Sequence, residues 1–286
     1  MEYKRNHYVP RWLLNNFMNE SGELFYHSKE KPDASVIHRN PDSIFNAPNL
    51  YAAYDNDGVR DILLESDKYK QLDNLAKEVA DKIINTIRAG KQISLSAEDR
   101  TICLIFLYNQ IKRTPDFMNE MMSNDKVEIA FIAAFEKLFD VVEEPTKGAL
   151  KTKLSELIAP KMKDQIIQTG KIEALKRDSE EAIDVLRQRG IGFIGPESPS
   201  KSFIIGSRPV LRLSHLDRKS LTDPTVELIL PLAYDVAMVS VGQYDVTSYV
   251  RCPQGETRRL NNLTAKQSTE IAGRSRELVI SLKNSR

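Results

Sequence analysis

The sequence predicts an α+β fold with helix predominant: short N-terminal strands, a predominantly helical middle and a C-terminal antiparallel or mixed sheet closed by a helix. Three observations predict it. Apolar residues recur at helical spacing through residues 61–189, the period falls toward two after Gly190, and residues 1–60, rich in Asn, Pro and aromatics, sustain neither pattern. At 286 residues and 41% hydrophobic the chain has enough interior to fold as one domain without disulfides or metal.

In the first region, Leu24–His27 and Val36–His38 read as short strands around a turn at Lys31-Pro32-Asp33. Asp55-Asn56-Asp57-Gly58 reads as a turn, because Ala53 and Leu64 stand where a calcium loop needs oxygen ligands. From Asp61, the apolar series Ile62, Leu63, Leu72, Leu75, Val79, Ile83, Ile84 and Ile87 marks one face of a long helix that Gly90 stops. Ser96 with Asp99 three positions on forms a capping box, and Ile102–Leu107 is apolar on every side, so the next helix should be buried. Further helices are predicted at Val127–Val142, Gly148–Leu157, Pro160–Gln168 and Ile172–Gln188, with Gly190 as a left-handed C-cap. The runs Phe193-Ile194, Phe203-Ile204-Ile205, Val210–Leu213, Val226–Leu230 and Val236–Val241 should pair into one sheet. Thr264 with Gln267 reads as a second capping box, opening a closing helix that includes Ile271, Leu278, Val279 and Leu282.

Composition excludes several classes. Cys103 and Cys252 have neither the density nor the spacing of a secreted scaffold or a zinc site. No window reaches the roughly 20 apolar residues of a membrane span, so a cytoplasmic protein with no membrane partner is expected. Forty-one basic against 40 acidic residues create no global field for nucleic acid. The basic tail Arg251–Arg286 reads as a solvated helix face. Gly190-Ile191-Gly192-Phe193-Ile194-Gly195 spells a dinucleotide fingerprint, but a helix precedes it and Pro196 follows, the reverse of what pyrophosphate binding needs. His7, His27 and His38 match no metal-ligand spacing, so no metal is assigned and the cofactor is unknown.

Two places carry candidate chemistry. In His7-Tyr8-Val9-Pro10, followed by Arg11, Trp12, Leu13, Leu14 and Phe17, a histidine stands before a proline-started helix, where imidazole can act as a general base. In Asn109-Gln110-Ile111-Lys112-Arg113-Thr114-Pro115, Asn109 and Arg113 share a face at the end of an apolar helix, where a guanidinium can take a carboxylate or phosphate.

These segments resemble a bacterial family known as domain of unknown function 4238. The resemblance rests on His7-Tyr8-Val9-Pro10 running into an aromatic helix, on Arg113-Thr114-Pro115, on Phe203-Ile204-Ile205-Gly206-Ser207-Arg208-Pro209-Val210 and on Ile229-Leu230-Pro231-Leu232, in that order. In the family the turn usually reads Ser-Asp-x-Pro; here Arg208 follows Ser207, which puts any role of that carboxylate in doubt. Some members look like single-gene anti-phage defence proteins. The resemblance therefore implies a defence effector of the abortive-infection type, with His7, Arg11, Asn109 and Arg113 lining its functional pocket and a phage-derived protein or nucleic acid as partner. One alternative is a metal-dependent nuclease with His7 as general base and Asn49-Leu50 as a distant companion motif. Another is a non-catalytic sensor that uses Trp12, Phe17, Phe25, Tyr26, Phe45, Tyr51 and Tyr54 as anchors.

Overall fold

Helix forms where the helical period is strongest. In the computed structural model, which describes residues 5–54, 60–61, 64–123, 129, 160–213, 221, 223, 225–242 and 247–284, a π-helical turn at Leu64–Tyr69 leads into α2 (Lys70–Arg88), so the long helix starts later than Asp61. Ala76, Val79, Ala80, Ile83 and Ile84 are its buried face, and Gly90, at φ +66, ends it. Before it lie β1 (Arg5–His7), α1 (Arg11–Asn15), β2 (Phe25–Ser28), β3 (Ile37–His38), β4 (Asn46–Pro48), β5 (Ala53–Tyr54) and β6 (Arg60–Asp61). The predicted turn at Asp55–Gly58 and, apart from residue 129, the predicted helices at Val127–Val142 and Gly148–Leu157 lie outside the described residues.

The capping box opens α3 (Ala97–Lys112) as read: Asp99 N donates to Ser96 Oγ at 3.0 Å, and Ser96 N to Asp99 Oδ2 at 3.1 Å. Lys82 of α2 adds a bond to Asp99 and, with the cap, holds its carboxyl below the usual range. We expect Ser96→Ala to cost about 1 kcal/mol, read as a lower urea midpoint at unchanged slope. Cys103, Leu104, Phe106 and Leu107 are buried along α3, as a centrally packed helix requires.

After α4 (Pro115–Met121), α5 (Pro160–Lys176) runs through Gly170 without the predicted break. An interior glycine costs only about 1 kcal/mol, which packing overrides. The break falls at 177–179, where Lys68 and Lys112 donate to the last carbonyls of α5 and to the Asp178 carboxylate, and Ser179 caps α6 (Glu180–Arg187). Gly190 is not the C-cap: it is the first residue of β7 (Gly190–Pro196).

The C-terminal part contains β8 (Ile205–Gly206), β9 (Leu211–Leu213), β10 (Glu227–Ala233), β11 (Val236–Val241), β12 (Tyr249–Cys252), α7 (Gln254–Gln267), β13 (Glu270–Gly273) and α8 (Arg276–Leu282). Five strands form a mixed sheet in the order β12-β7-β11-β10-β9, with β12 parallel to β7. The glycine run is strand because of close approach: a Cβ at Gly195 would stand 2.5 Å from the Asp235 carbonyl. One expectation fails here, since Ile205 leaves this sheet. β8 joins a second, antiparallel sheet, β3-β2-β13-β8, which couples the N-terminal hairpin to the C-terminal region. The predicted closing helix is also corrected. Thr264 lies inside α7, Ile271 pairs in β13, and Ser275 caps the separate α8 by accepting from Leu278 N. The basic tail is accordingly strand and two helices rather than one helix face, with Arg251, Arg258, Arg259, Lys266 and Arg276 exposed.

The second sheet is a partition. Opposed residues of antiparallel strands share a face and neighbours alternate, so Tyr26, Ser28, Glu270 and Ala272 point one way and Phe25, His27 and Ile271 the other. Tyr26 and Ala272 pack into the main core, whereas Phe25 and Ile271 pack with Val36, Ile204, Ala265, Val279 and Leu282 in a small satellite core under α8.

Candidate functional site

The four residues singled out in the sequence fall into two groups. His7 ends β1 opposite Asn46 of β4, half-buried, with its ring toward the 3-10 turn Pro41–Ser43. Burial holds its imidazole below the ordinary value, against a hydrogen bond with the Pro41 backbone and the nearby Asp42 charge, which favour the proton. Its Nε2 is buried and has no hydrogen-bond partner among the described residues. Arg11 Nη1 reaches Asp42 Oδ1 at 3.0 Å, both side chains more than 60% exposed, an arrangement that contributes little stability. Pro10 caps α1, but five residues are too few for a developed anion-binding terminus.

Arg113 is fully buried at the C-cap of α3. Its Nη1 donates to Asp73 Oδ1 of α2 at 2.8 Å, its guanidinium lies 5.5 Å from the Tyr69 ring centroid and 5.8 Å from that of Phe106, and the Gln110 amide oxygen accepts from its Nε at 2.7 Å. The carboxylate that the guanidinium takes is thus the chain's own. Burial raises the Asp73 carboxyl and the Arg113 charge pulls it back. Asn109, also fully buried, donates to the Ile105 carbonyl at 2.9 Å, while its Oδ1 has no partner among the described residues. Trp12, whose ring lies 5.5 Å from that of Phe106, connects this group to the N-terminal segment.

A third constellation gathers residues that sequence reasoning had not joined. The hydroxyls of Tyr8 and Tyr26 both donate to the Glu270 carboxylate, one to each oxygen. Phe45, buried at φ +51, stands between them with its ring edge-on to both at 6.2 and 6.1 Å, and its carbonyl accepts from Tyr8 N at 3.1 Å. Burial first, then the Glu270 carboxylate, raises both phenols above their usual range, so they stay protonated and donate. Behind Glu270, Ser207 N donates to its carbonyl at 2.9 Å, and Ser207 Oγ accepts from Thr269 N at 2.9 Å and contacts Asp116 Oδ2 at 3.3 Å. Arg208 Nε donates to the same Asp116 oxygen at 3.1 Å, and its Nη2 to Glu120. Two carboxylates, Asp116 and Glu120, therefore hold one guanidinium, and Ser207 links Asp116 to the Glu270 backbone, while the Glu270 carboxylate retains acceptor capacity beyond its two hydroxyls.

Among the described residues no three His, Cys, Asp or Glu side chains gather as metal ligands. A depression of about 320 Å³, lined in part by Arg100 and Arg187, lies at the N-terminal end of α3, away from all three groups. Phe17, Phe45 and Tyr51 are core rather than surface anchors, and Trp12, Phe25 and Tyr26 are partly buried. Asp73 had a visible signal, a carboxylate in phase with Ala76, Ala80 and Ile83 on the apolar face of α2. Glu270 had none while Ile271 was read as helix.

The arrangement is that of an α+β protein whose N-terminal motif is tied by side chains to the sheet formed near its C-terminus. The chain belongs to the family described as "Protein of unknown function (DUF4238)", which it matches over residues 5–277. No curated protein and no solved structure matches it. Among the described residues no helix is long and apolar enough to cross a membrane.

Proposed function

We propose that the chain is a bacterial anti-phage defence effector of the abortive-infection type, acting through the junction around Glu270. The supporting observation is convergence. Tyr8 belongs to the His7–Pro10 motif, Asp116 follows Arg113-Thr114-Pro115, and Ser207 and Arg208 form the third motif; Tyr8 and Ser207 bond to Glu270, which is 262 positions from Tyr8, and Asp116 and Arg208 join through Ser207 and each other. Packing alone does not require two phenols on one carboxylate, linked through a serine to a guanidinium held by two more. The defence role itself is drawn from the family resemblance. In this reading His7, Arg11, Asn109 and Arg113 flank the junction and orient the segments that carry it.

The test is phage plating and growth on induction for the wild type, Glu270→Gln, Asp116→Asn and His7→Ala, with circular dichroism on each. Glu270→Gln keeps the shape of the side chain and an acceptor oxygen. We expect it to fold and to lose protection or toxicity. Wild-type behaviour in folded variants would overturn the proposal and leave a phage- or host-protein-binding sensor as the better account.

One observation favours a second reading, a nuclease with His7 as general base. The pairing of β1 with β4 sets His7 opposite Asn46 and so brings the segment that leads to Asn49 alongside the strand of His7. Its lowered imidazole is unprotonated at neutral pH and able to accept a proton. No step is drawn through a metal, since no ligand cluster is present among the described residues. DNA and RNA left intact by purified protein with magnesium, manganese or zinc would rule this reading out.

A further inference from the structure

Beneath α8 lies a titratable group in an unusual position. His27, in the second sheet between β3 and β13, is 2% exposed, and both Nδ1 and Nε2 are buried without a hydrogen-bond partner among the described residues. A neutral imidazole tolerates this at the cost of one unsatisfied N–H and one unsatisfied acceptor nitrogen; an imidazolium does not, because a buried cation needs a counter-charge or water.

Among the described residues the surroundings offer no counter-charge. The charges that act on the ring are Lys283, just past α8, and Lys29, just past its own strand, whose Nζ is bonded to the Ala265 carbonyl. From β3, His38 stands opposite Phe25, on the same face. From β13, Ile271 is the opposed residue, and Glu270 points to the other side of the sheet. On α8, Arg276 and Glu277 are exposed, and Ser275 Oγ donates to Glu277 at 3.0 Å. Lys266 of α7 is exposed.

We propose that His27 is an acid-sensitive latch for α8: the neutral ring lets the helix dock, and protonation releases it. Water reaches the ring most directly if α8 lifts. That helix has seven residues, and the satellite core beneath it is small, so its local opening requires less than global unfolding. Arg258, which donates to Ser281 Oγ at 2.7 Å, is a polar tether between α7 and the departing helix. The direction follows from linkage. Burial, then Lys283 and Lys29, hold the folded-state imidazole below 6.5, so the unfolded or opened state binds more protons. Docking is fully stable above the open-state value and weakens as pH falls through the folded one.

The latch is independent of the defence reading, and its test does not use activity. Hydrogen exchange of the α8 amides in the full chain is compared at about pH 8 and about pH 5, corrected for intrinsic rates. Wild-type protection should fall by about tenfold or more, while His27→Phe, which keeps the ring and removes the titration, should hold it. Undiminished wild-type protection, or an equal loss in His27→Phe, overturns the proposal. Should His27→Phe not fold, Lys283→Glu decides: a carboxylate beside the ring must make the acid loss smaller, and a loss equal to the wild type again overturns it.

Discussion

Arg113→Ala is expected to destabilise the protein by about 3 kcal/mol, because it removes the fully buried member of an ion pair and leaves a partly buried carboxylate without its partner. The partly buried Asp73 carboxylate would lose its cation, the Gln110 oxygen would lose its donor, and the packing against Tyr69 and Phe106 would be vacated. Guanidinium chloride unfolding measures the loss. The double variant Asp73→Ala, Arg113→Met is the control. It removes both charges and refills volume, so it should recover much of the deficit. If Arg113→Ala cost less than about 1 kcal/mol, within the range of exposed pairs, the pair would not be energetically buried.

Glu270→Ala should cost about 2–4 kcal/mol, since it leaves two phenol hydroxyls without their acceptor, that of Tyr8 in a site only 4% exposed. Tyr8→Phe should cost less, because Glu270 keeps Tyr26 and some access to solvent. The combined variant should fall short of the sum, as expected for members of one network. Additivity within about 0.5 kcal/mol would mean that Tyr8 and Glu270 do not act as a unit. The second tyrosine also gives a spectroscopic check: the Cζ resonances of Tyr8 and Tyr26 should both shift in Glu270→Gln.

Much of the local structure was legible. Ser96 and Asp99 lie three residues apart, so the box they form depends on nothing beyond one helical turn. The β2 and β3 strands were readable from short alternating runs flanking Pro32. The opening of β7 was not, because Gly190 satisfies a helix C-cap and a strand start equally well at the level of local preference. Gly170 shows the reverse: a residue that discourages helix sits inside α5, because packing outweighs its intrinsic cost. At the candidate sites, the sequence located His7, Arg11, Asn109 and Arg113 as polar residues near helix ends. It did not show that the Arg113 anion is internal, or that Tyr8 rather than His7 makes the long-range contact.

What the sequence determined by itself was therefore the α+β class, the buried helix α3 with its cap, the N-terminal hairpin and the β-rich character after Gly190. Each depends on periodicity or on hydrogen bonds closed within a few residues. Only the tertiary structure decided which sheet Ile205 enters, which carboxylate meets Arg113 across 40 positions, and which tyrosines meet Glu270 across 262 and 244. The physical reason is that a strand or a charged group does not encode its partner. Pairing is settled by which arrangement buries the most apolar surface while leaving the fewest polar groups unsatisfied, a property of all the elements together.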